Sequence, residues 1–175
     1  MTSMGKMLQR AVRASLFDRR AYTEAFFDDD AAADGALLYA GTAAVVYIGT
    51  LAVNGVLGAF DVRFLLQVVL AFLMGWLILA MATWFVATRL FGASMRRPQM
   101  MIAMHGLAPL PLLLEIGGSV VGGIGLVWHL AVVTMATREG TSLDLQRSVV
   151  SVLIGFALAA LVRALFRIPF AVFGF

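Results

Sequence analysis

Residues 99–114 read QMMIAMHGLAPLPLLL. The stretch is apolar enough for a membrane, yet it is short and holds His105, Pro109 and Pro111. Proline removes a backbone donor and kinks a helix, so a bent or partly broken segment is expected here. If the segment crosses, the chain makes five passes and its two ends lie on opposite sides of a bilayer. If residues 99–125 re-enter instead, it makes four.

Charge favours five. With the N-terminus inside, Lys6, Arg10, Arg13, Arg19 and Arg20 precede the first apolar run. Arg89, Arg96 and Arg97 fall in the second loop, and Arg138 and Arg147 in the fourth. Ten of the thirteen basic residues are then cytosolic, leaving Arg63, Arg163 and Arg167. Basic residues collect on the cytoplasmic side of membrane proteins, so the N-terminus is expected inside and the C-terminus outside. The four-pass arrangement moves Arg138 and Arg147 outward.

Composition agrees that lipid is the solvent. The 175 residues are 62% hydrophobic and 13% charged, with a mean hydropathy of +0.95. Soluble domains average roughly 45–50% apolar and 25% charged. There are no cysteines, which excludes disulfides, thiolate metal sites and a thiol nucleophile. The basic residues flank apolar runs, so their partner is anionic lipid head groups and not nucleic acid.

The fold expected is all-α: a polytopic bundle of about five spans, preceded by an N-terminal amphipathic interfacial helix. Residues 1–34 form the cytosolic or interfacial segment and 35–175 the bundle. The spans are placed at about 35–60, 64–88, 99–114, 117–137 and 148–166. Asp61 to Arg63 forms a hairpin, Thr141 and Asp144 have the spacing of a helix start, and Pro169 is expected to stop the last helix. The tail FAVFGF is expected at the interface or against a neighbour. No cleavable signal peptide is expected, because the start is charged throughout. In the N-terminal segment Met4, Met7, Leu8, Ala11, Val12 and Leu16 fall on one helical face, opposite Lys6, Arg10 and Arg13. Such a helix either lies in the membrane interface or packs on the loops of its own bundle.

The pattern resembles the Yip (Ypt/Rab-interacting protein) domain family in its small prokaryotic form. The likeness rests on HGLAPLPLLL at 105–114, the glycine-rich start of the fourth span, Trp128, and TREGTSLDLQRSVVSVL at 137–153. It implies five closely spaced helices with the N-terminus inside and the C-terminus outside, a fold more than an activity; the membrane expected is the inner (cytoplasmic) one. Eukaryotic relatives are implicated in early secretory traffic and in contact with small GTPases, and they carry a cytosolic tyrosine–glycine–proline motif. FDRRAYTEAFF at 17–27 departs from it, so GTPase binding is not implied here.

Four constellations are candidates for chemistry. Asp28, Asp29 and Asp30, with Asp34 beyond, suit a helix start with a solvated face, with a docking patch or a metal site as alternatives; calcium-loop spacing is missing. Gly118/Gly122 and Ser119/Gly123 are small-xxx-small pairs that let a helix approach, from the same bundle or from another subunit. His105 and His129 lie inside spans, as hydrogen-bonded polar residues, a proton relay, or haem or pigment ligands. Ser119, His129 and Glu115 are a nominal hydrolase set at different depths, which argues against an enzyme.

The reading reached is a non-catalytic membrane interaction or scaffolding protein without cofactor or metal, such as a small accessory subunit of a larger membrane complex. Its interaction residues are Lys6, Arg10, Arg13, Asp28, Asp29, Asp30, Gly118 and Gly122. A small-solute transporter is the alternative, with a cavity lined by Asn54, Gln67, His105 and Glu115. A haem or pigment carrier is the second.

Overall fold

The computed structural model describes residues 4–95 and 97–172, with side chains described as far as Leu161. The side chains of Arg96, Arg163 and Arg167, and those of the tail at 170–175, lie outside the described residues. Among the described residues all regular structure is helical.

Helix α1 spans Met4–Ser15 and turns through Phe17, whose φ is 63°. Asp18 then caps α2 (Arg19–Phe26): its carboxylate accepts the Arg20 N–H at 2.9 Å. Helix α3 covers Ala31–Val53 and α4 Val62–Arg89. The first span therefore ends at Val53, not near residue 60, because Asn54 and Gly55, with φ of 68°, close the helix. A short 3-10 turn at Leu57–Ala59 follows. Asp61 starts α4 by accepting the Arg63 N–H at 2.8 Å, so the expected hairpin residue is a helix cap.

The third segment is broken, as the prolines imply. Helix α5 occupies Pro98–His105, and a 3-10 stretch occupies Leu110–Gly117. Proline sits at the first turn of each, where its missing N–H is harmless. Helix α6 follows at Gly118–Thr141, and α7 covers Leu145–Val172. Two expectations for this region fail. Asp144, not Thr141, begins α7 by accepting the Arg147 N–H at 2.8 Å, while the Thr141 hydroxyl donates back to Thr137. Helix α7 also runs on through Pro169, since proline is tolerated where neighbouring groups re-satisfy the backbone.

Among the described residues three helical stretches are long and apolar enough to cross a membrane: Ala31–Val53, Val62–Arg89 and Leu110–Thr141. The third is a hairpin and not a rod. It reverses at Gly118, whose φ of 86° and ψ of −174° belong to a region nearly restricted to glycine. Its limbs then run antiparallel. The Gly122 Cα faces Glu115, Gly125 faces Pro111, and His129 faces Ala108. Going further back, Thr137 faces His105.

The buried core is thin and divides in two. One part gathers α1 and α2 (Met7, Ala11, Tyr22) against Met101, Met104, Leu107 and Val132. The other packs Tyr39, Ala43, Phe72, Trp76 and Leu112. Large apolar side chains cover the outside instead: Leu37 and Val45 on α3, Leu70 and Phe85 on α4, Val120 and Val127 on α6, Leu153 and Leu158 on α7. A water-soluble monomer rarely exposes contiguous apolar surface on this scale. The backbone of α3 and that at the end of α5 approach closely at two glycines. A Cβ on Gly35 would stand 2.7 Å from the Gly106 Cα, and one on Gly106 would stand 2.8 Å from the Gly35 Cα.

Candidate functional site

The first candidate is the α1–α2 bracket. Three contacts fasten it to α6. The Trp128 indole N–H donates to the Ser15 carbonyl at 2.9 Å, and Arg19 pairs with Glu139 at 3.1 Å. Tyr22 is fully buried and donates to the Ala14 carbonyl at 2.7 Å, beside the Val132 carbonyl at 3.5 Å. Burial pushes the Tyr22 phenol above its ordinary range, so it stays neutral and donates throughout the physiological range.

Across the bracket runs an ion-pair network. Arg10 reaches Asp28 at 2.7 Å and Glu24 at 3.6 Å, and Arg13 reaches Asp18 at 2.8 Å and Glu24 at 3.0 Å. The Arg10 hydrogen bond holds the Asp28 carboxyl below the usual carboxylate range, and the Arg13 hydrogen bond does the same to Asp18. Asp28 also accepts the Asp30 N–H at 3.0 Å, forming the turn that leads into α3. The acidic run is thus a helix lead-in whose first member is tied to α1. Asp29 and Asp30 are exposed, and Asp34 is buried in the first turn of α3. No group of three or more metal-ligating side chains gathers among the described residues. Of the basic residues assigned to head groups, Lys6 is exposed, while Arg10 and Arg13 are occupied by carboxylates.

The apolar face of α1 is divided by this docking. Met7, Ala11 and Ala14 turn into the bundle. Met4, Leu8, Val12 and Leu16, spaced by four, remain exposed together with Phe17. Phe17 lies at one end of a shallow apolar groove along α6, formed by Val120, Gly123, Ile124, Val127 and Ala131. The exposed stripe of α1 is therefore continuous with the outward face of α6.

The glycines divide similarly. Gly118 makes the turn, and a Cβ there would touch nothing within 4 Å, so its role is conformational and not close packing. Gly122 and Gly125 are the packing positions, and they face the 3-10 limb of the same chain. A Cβ on Gly122 would stand 3.2 Å from the Glu115 Cα, and one on Gly125 would collide with the Pro111 carbonyl. Gly123 opens onto the groove, with nothing within 4 Å.

The two histidines serve the broken segment. Pro111 has no N–H, and the Leu112 N–H is taken by the Pro109 carbonyl at 2.9 Å. The Ala108 carbonyl, left without its local partners, accepts from His129 Nδ1 at 2.8 Å. Because a carbonyl can only accept, this nitrogen carries the proton, and Nε2 of the neutral ring holds the lone pair. His105 Nε2 lies 2.9 Å from the Thr137 hydroxyl, which itself donates to the Val133 carbonyl at 2.9 Å. The hydroxyl therefore accepts from His105. His105 meets α6 at Thr137 and His129 lies two turns away along the same helix, so the pair is not set opposite each other as two axial ligands of one haem.

Between α3, α4, α6, α7 and the 3-10 limb is a cavity of about 190 Å³. Of the four residues expected to line one, only Glu115 does. Asn54 is exposed and bonded to Thr50, Gln67 is exposed, and His105 is enclosed elsewhere in the core. Tyr39, Trp76 and His129 take their places. The Tyr39 and Trp76 rings stack at 5.2 Å, and the His129 ring meets Tyr39 edge-on at 6.3 Å. Sequence reasoning missed this pair, although a signal was present: tyrosine and tryptophan usually mark the membrane interfaces, and these two lie well inside their spans. Ser119 is exposed and does not line the cavity with His129 and Glu115, so the nominal hydrolase set is not assembled.

Comparison with protein-family models, with curated proteins and with solved structures finds no match to this chain.

Proposed function

We propose that the chain is a five-pass inner-membrane protein that acts through its surfaces, as a scaffold or accessory subunit for another membrane protein. The continuous apolar surface joining α1 to α6 carries this reading. It extends the lipid-facing wall of the bundle onto the N-terminal bracket, while the ion pairs of the bracket keep Arg10, Arg13, Glu24 and Asp28 together on its other side. An amphipathic helix with that division sits in the inner interface, apolar stripe down, with Lys6 available to anionic head groups.

Length supports the fifth pass. Eight residues of α-helix rise about 12 Å, and eight residues of 3-10 helix about 16 Å. With the four-residue link they approach the ~30 Å of a hydrocarbon core, so the tighter helix lets a short stretch cross. The Yip-like resemblance is kept as part of this proposal. It is supported by the break at HGLAPLPLLL and by the place of Trp128 on the following helix.

The Gly123 groove, open and apolar, is the surface offered to a partner helix. Gentle solubilisation of cells expressing the tagged chain, followed by identification of what co-purifies, tests the role. A stoichiometric membrane partner retained by the native chain and lost from Gly123→Leu is the expected result. A chain that purifies alone under every mild detergent refutes the accessory role. Topology is tested separately. The natural absence of cysteine makes single-cysteine labelling clean: Ser142→Cys should react from the cytosolic side and Gly58→Cys from the outer side. Reaction of both from one side refutes the five-pass arrangement.

A further inference from the structure

The cavity beside the Tyr39–Trp76 pair is unexplained by a role carried on the surface. Tyr39 is 2% and Trp76 4% exposed, both line the cavity, and the Tyr39 hydroxyl and the Trp76 indole N–H have no hydrogen-bond partner. Buried polar groups are rarely left so, and each such group calls for an occupant or a role. The third polar group at the cavity, His129, is fixed by the Ala108 carbonyl with its Nε2 lone pair remaining. The residues around this space thus carry two unpartnered donors and one acceptor, and the half-buried Glu115 lines it as well.

The walls decide what fits. Most of the lining is carbon, including Phe72, Leu79, Leu112 and Phe156. Water alone fits poorly: about six molecules would fill 190 Å³ at ~30 Å³ each, and each needs two to four polar partners. A metal ion fits no better, because no group of three ligating side chains gathers among the described residues. A small uncharged molecule with an apolar body and one hydroxyl satisfies both walls and donors: its oxygen accepts from Trp76 or Tyr39, and its proton goes to His129. Small residues on α4 and α7 leave the space for it. A Cβ on Gly75 would meet nothing within 4 Å, and Ala160 is exposed at the rim. The rim opens at exposed Ala160, and on the membrane position proposed above this side meets lipid, so the molecule arrives dissolved in the bilayer.

We infer that this cavity is a binding site for a small, neutral, hydroxyl-bearing molecule taken from the membrane. The inference stands apart from the scaffold role, since it concerns the inside of the bundle and not its surface.

The test uses the full chain in phosphatidylcholine nanodiscs, with 4-fluorophenol as probe and fluorobenzene as its hydroxyl-free counterpart, followed by fluorine NMR. Saturable binding of 4-fluorophenol beyond that of empty nanodiscs is expected, and fluorobenzene should bind at least about tenfold more weakly. Tyr39→Phe and Trp76→Phe should each weaken the phenol about three- to tenfold, as the loss of one hydrogen bond does. Gly75→Phe should abolish binding by filling the space. Should that variant fail to fold, Tyr39→Phe, which keeps the ring and removes one oxygen, still decides. Uptake equal to that of empty nanodiscs overturns the inference, as does equal affinity for the two probes. Binding indifferent to Tyr39→Phe and Trp76→Phe also overturns it.

Discussion

Gly35→Ala is a sharp test of how the bundle is held together. The new methyl carbon would stand 2.7 Å from the Gly106 Cα, 3.2 Å from Trp76 Cζ2 and 3.4 Å from the Gly106 carbonyl carbon. Carbon atoms rest at about 3.5–4.0 Å, so α3 and α5 must move apart by about 1 Å. Two of the three contacts are backbone, which cannot turn aside as a side chain can. Overpacking of this kind costs about 1–3 kcal/mol, and an unyielding neighbour places it at the upper end, ~3 kcal/mol. Alanine returns up to about 1 kcal/mol through its better helix propensity. The expected net loss is ~2 kcal/mol. The control is Gly41→Ala on the same helix, where the methyl meets nothing within 4 Å and the same propensity gain applies. Equilibrium unfolding in mixed micelles with increasing sodium dodecyl sulfate reads both. If Gly35→Ala is no less stable than Gly41→Ala, the glycine crossing does not govern the packing of α3 on α5 and the reasoning is wrong.

Three further predictions follow from the same contacts. Gly118→Ala should lose about 1–3 kcal/mol in that unfolding assay, although nothing surrounds its Cβ, because its backbone conformation excludes side chains; Gly123→Ala, equally open but helical, should not. Trp128→Phe removes the bond to Ser15, worth about 1 kcal/mol, and should speed maleimide labelling of a cysteine at buried Ala11 about fivefold. Acid should loosen the bracket. Asp28 and Asp18 are held below their ordinary values, so their contribution is present above about pH 4 and is lost as pH falls through the folded values. Hydrogen exchange of residues 4–27, corrected for intrinsic rate, should rise as pH falls below about 4, and Arg10→Gln should flatten the Asp28 part of that rise.

The sequence carried the all-helical class and the break at His105–Pro111, because apolar run length and proline act locally. The ends of spans were less legible. Residues 54–60 are apolar enough to continue α3, and only Asn54 and Gly55 stop it, a matter of capping that hydropathy does not register. The helical face of α1 was readable, but its division into a docked edge and an exposed edge was not, since that depends on where Trp128 and Tyr22 lie. Gly118 and Gly122 look alike in the sequence as members of one spacing motif. One turns the chain and the other packs it, and the difference is a backbone angle. The Tyr39–Trp76 cavity required two distant helices to meet, which no local pattern records.

The bond from His129 to the Ala108 carbonyl has a mechanical meaning. Leucine, valine and methionine surfaces sliding past one another in hydrocarbon lose little, because each new alignment finds similar contacts. A single polar contact is not interchangeable in this way. Were α6 to slip by one turn, the buried carbonyl would be left without a partner at a loss of several kcal/mol. The imidazole thus acts as a detent, fixing one alignment of α6 against the broken segment before it where greasy surfaces alone would permit many.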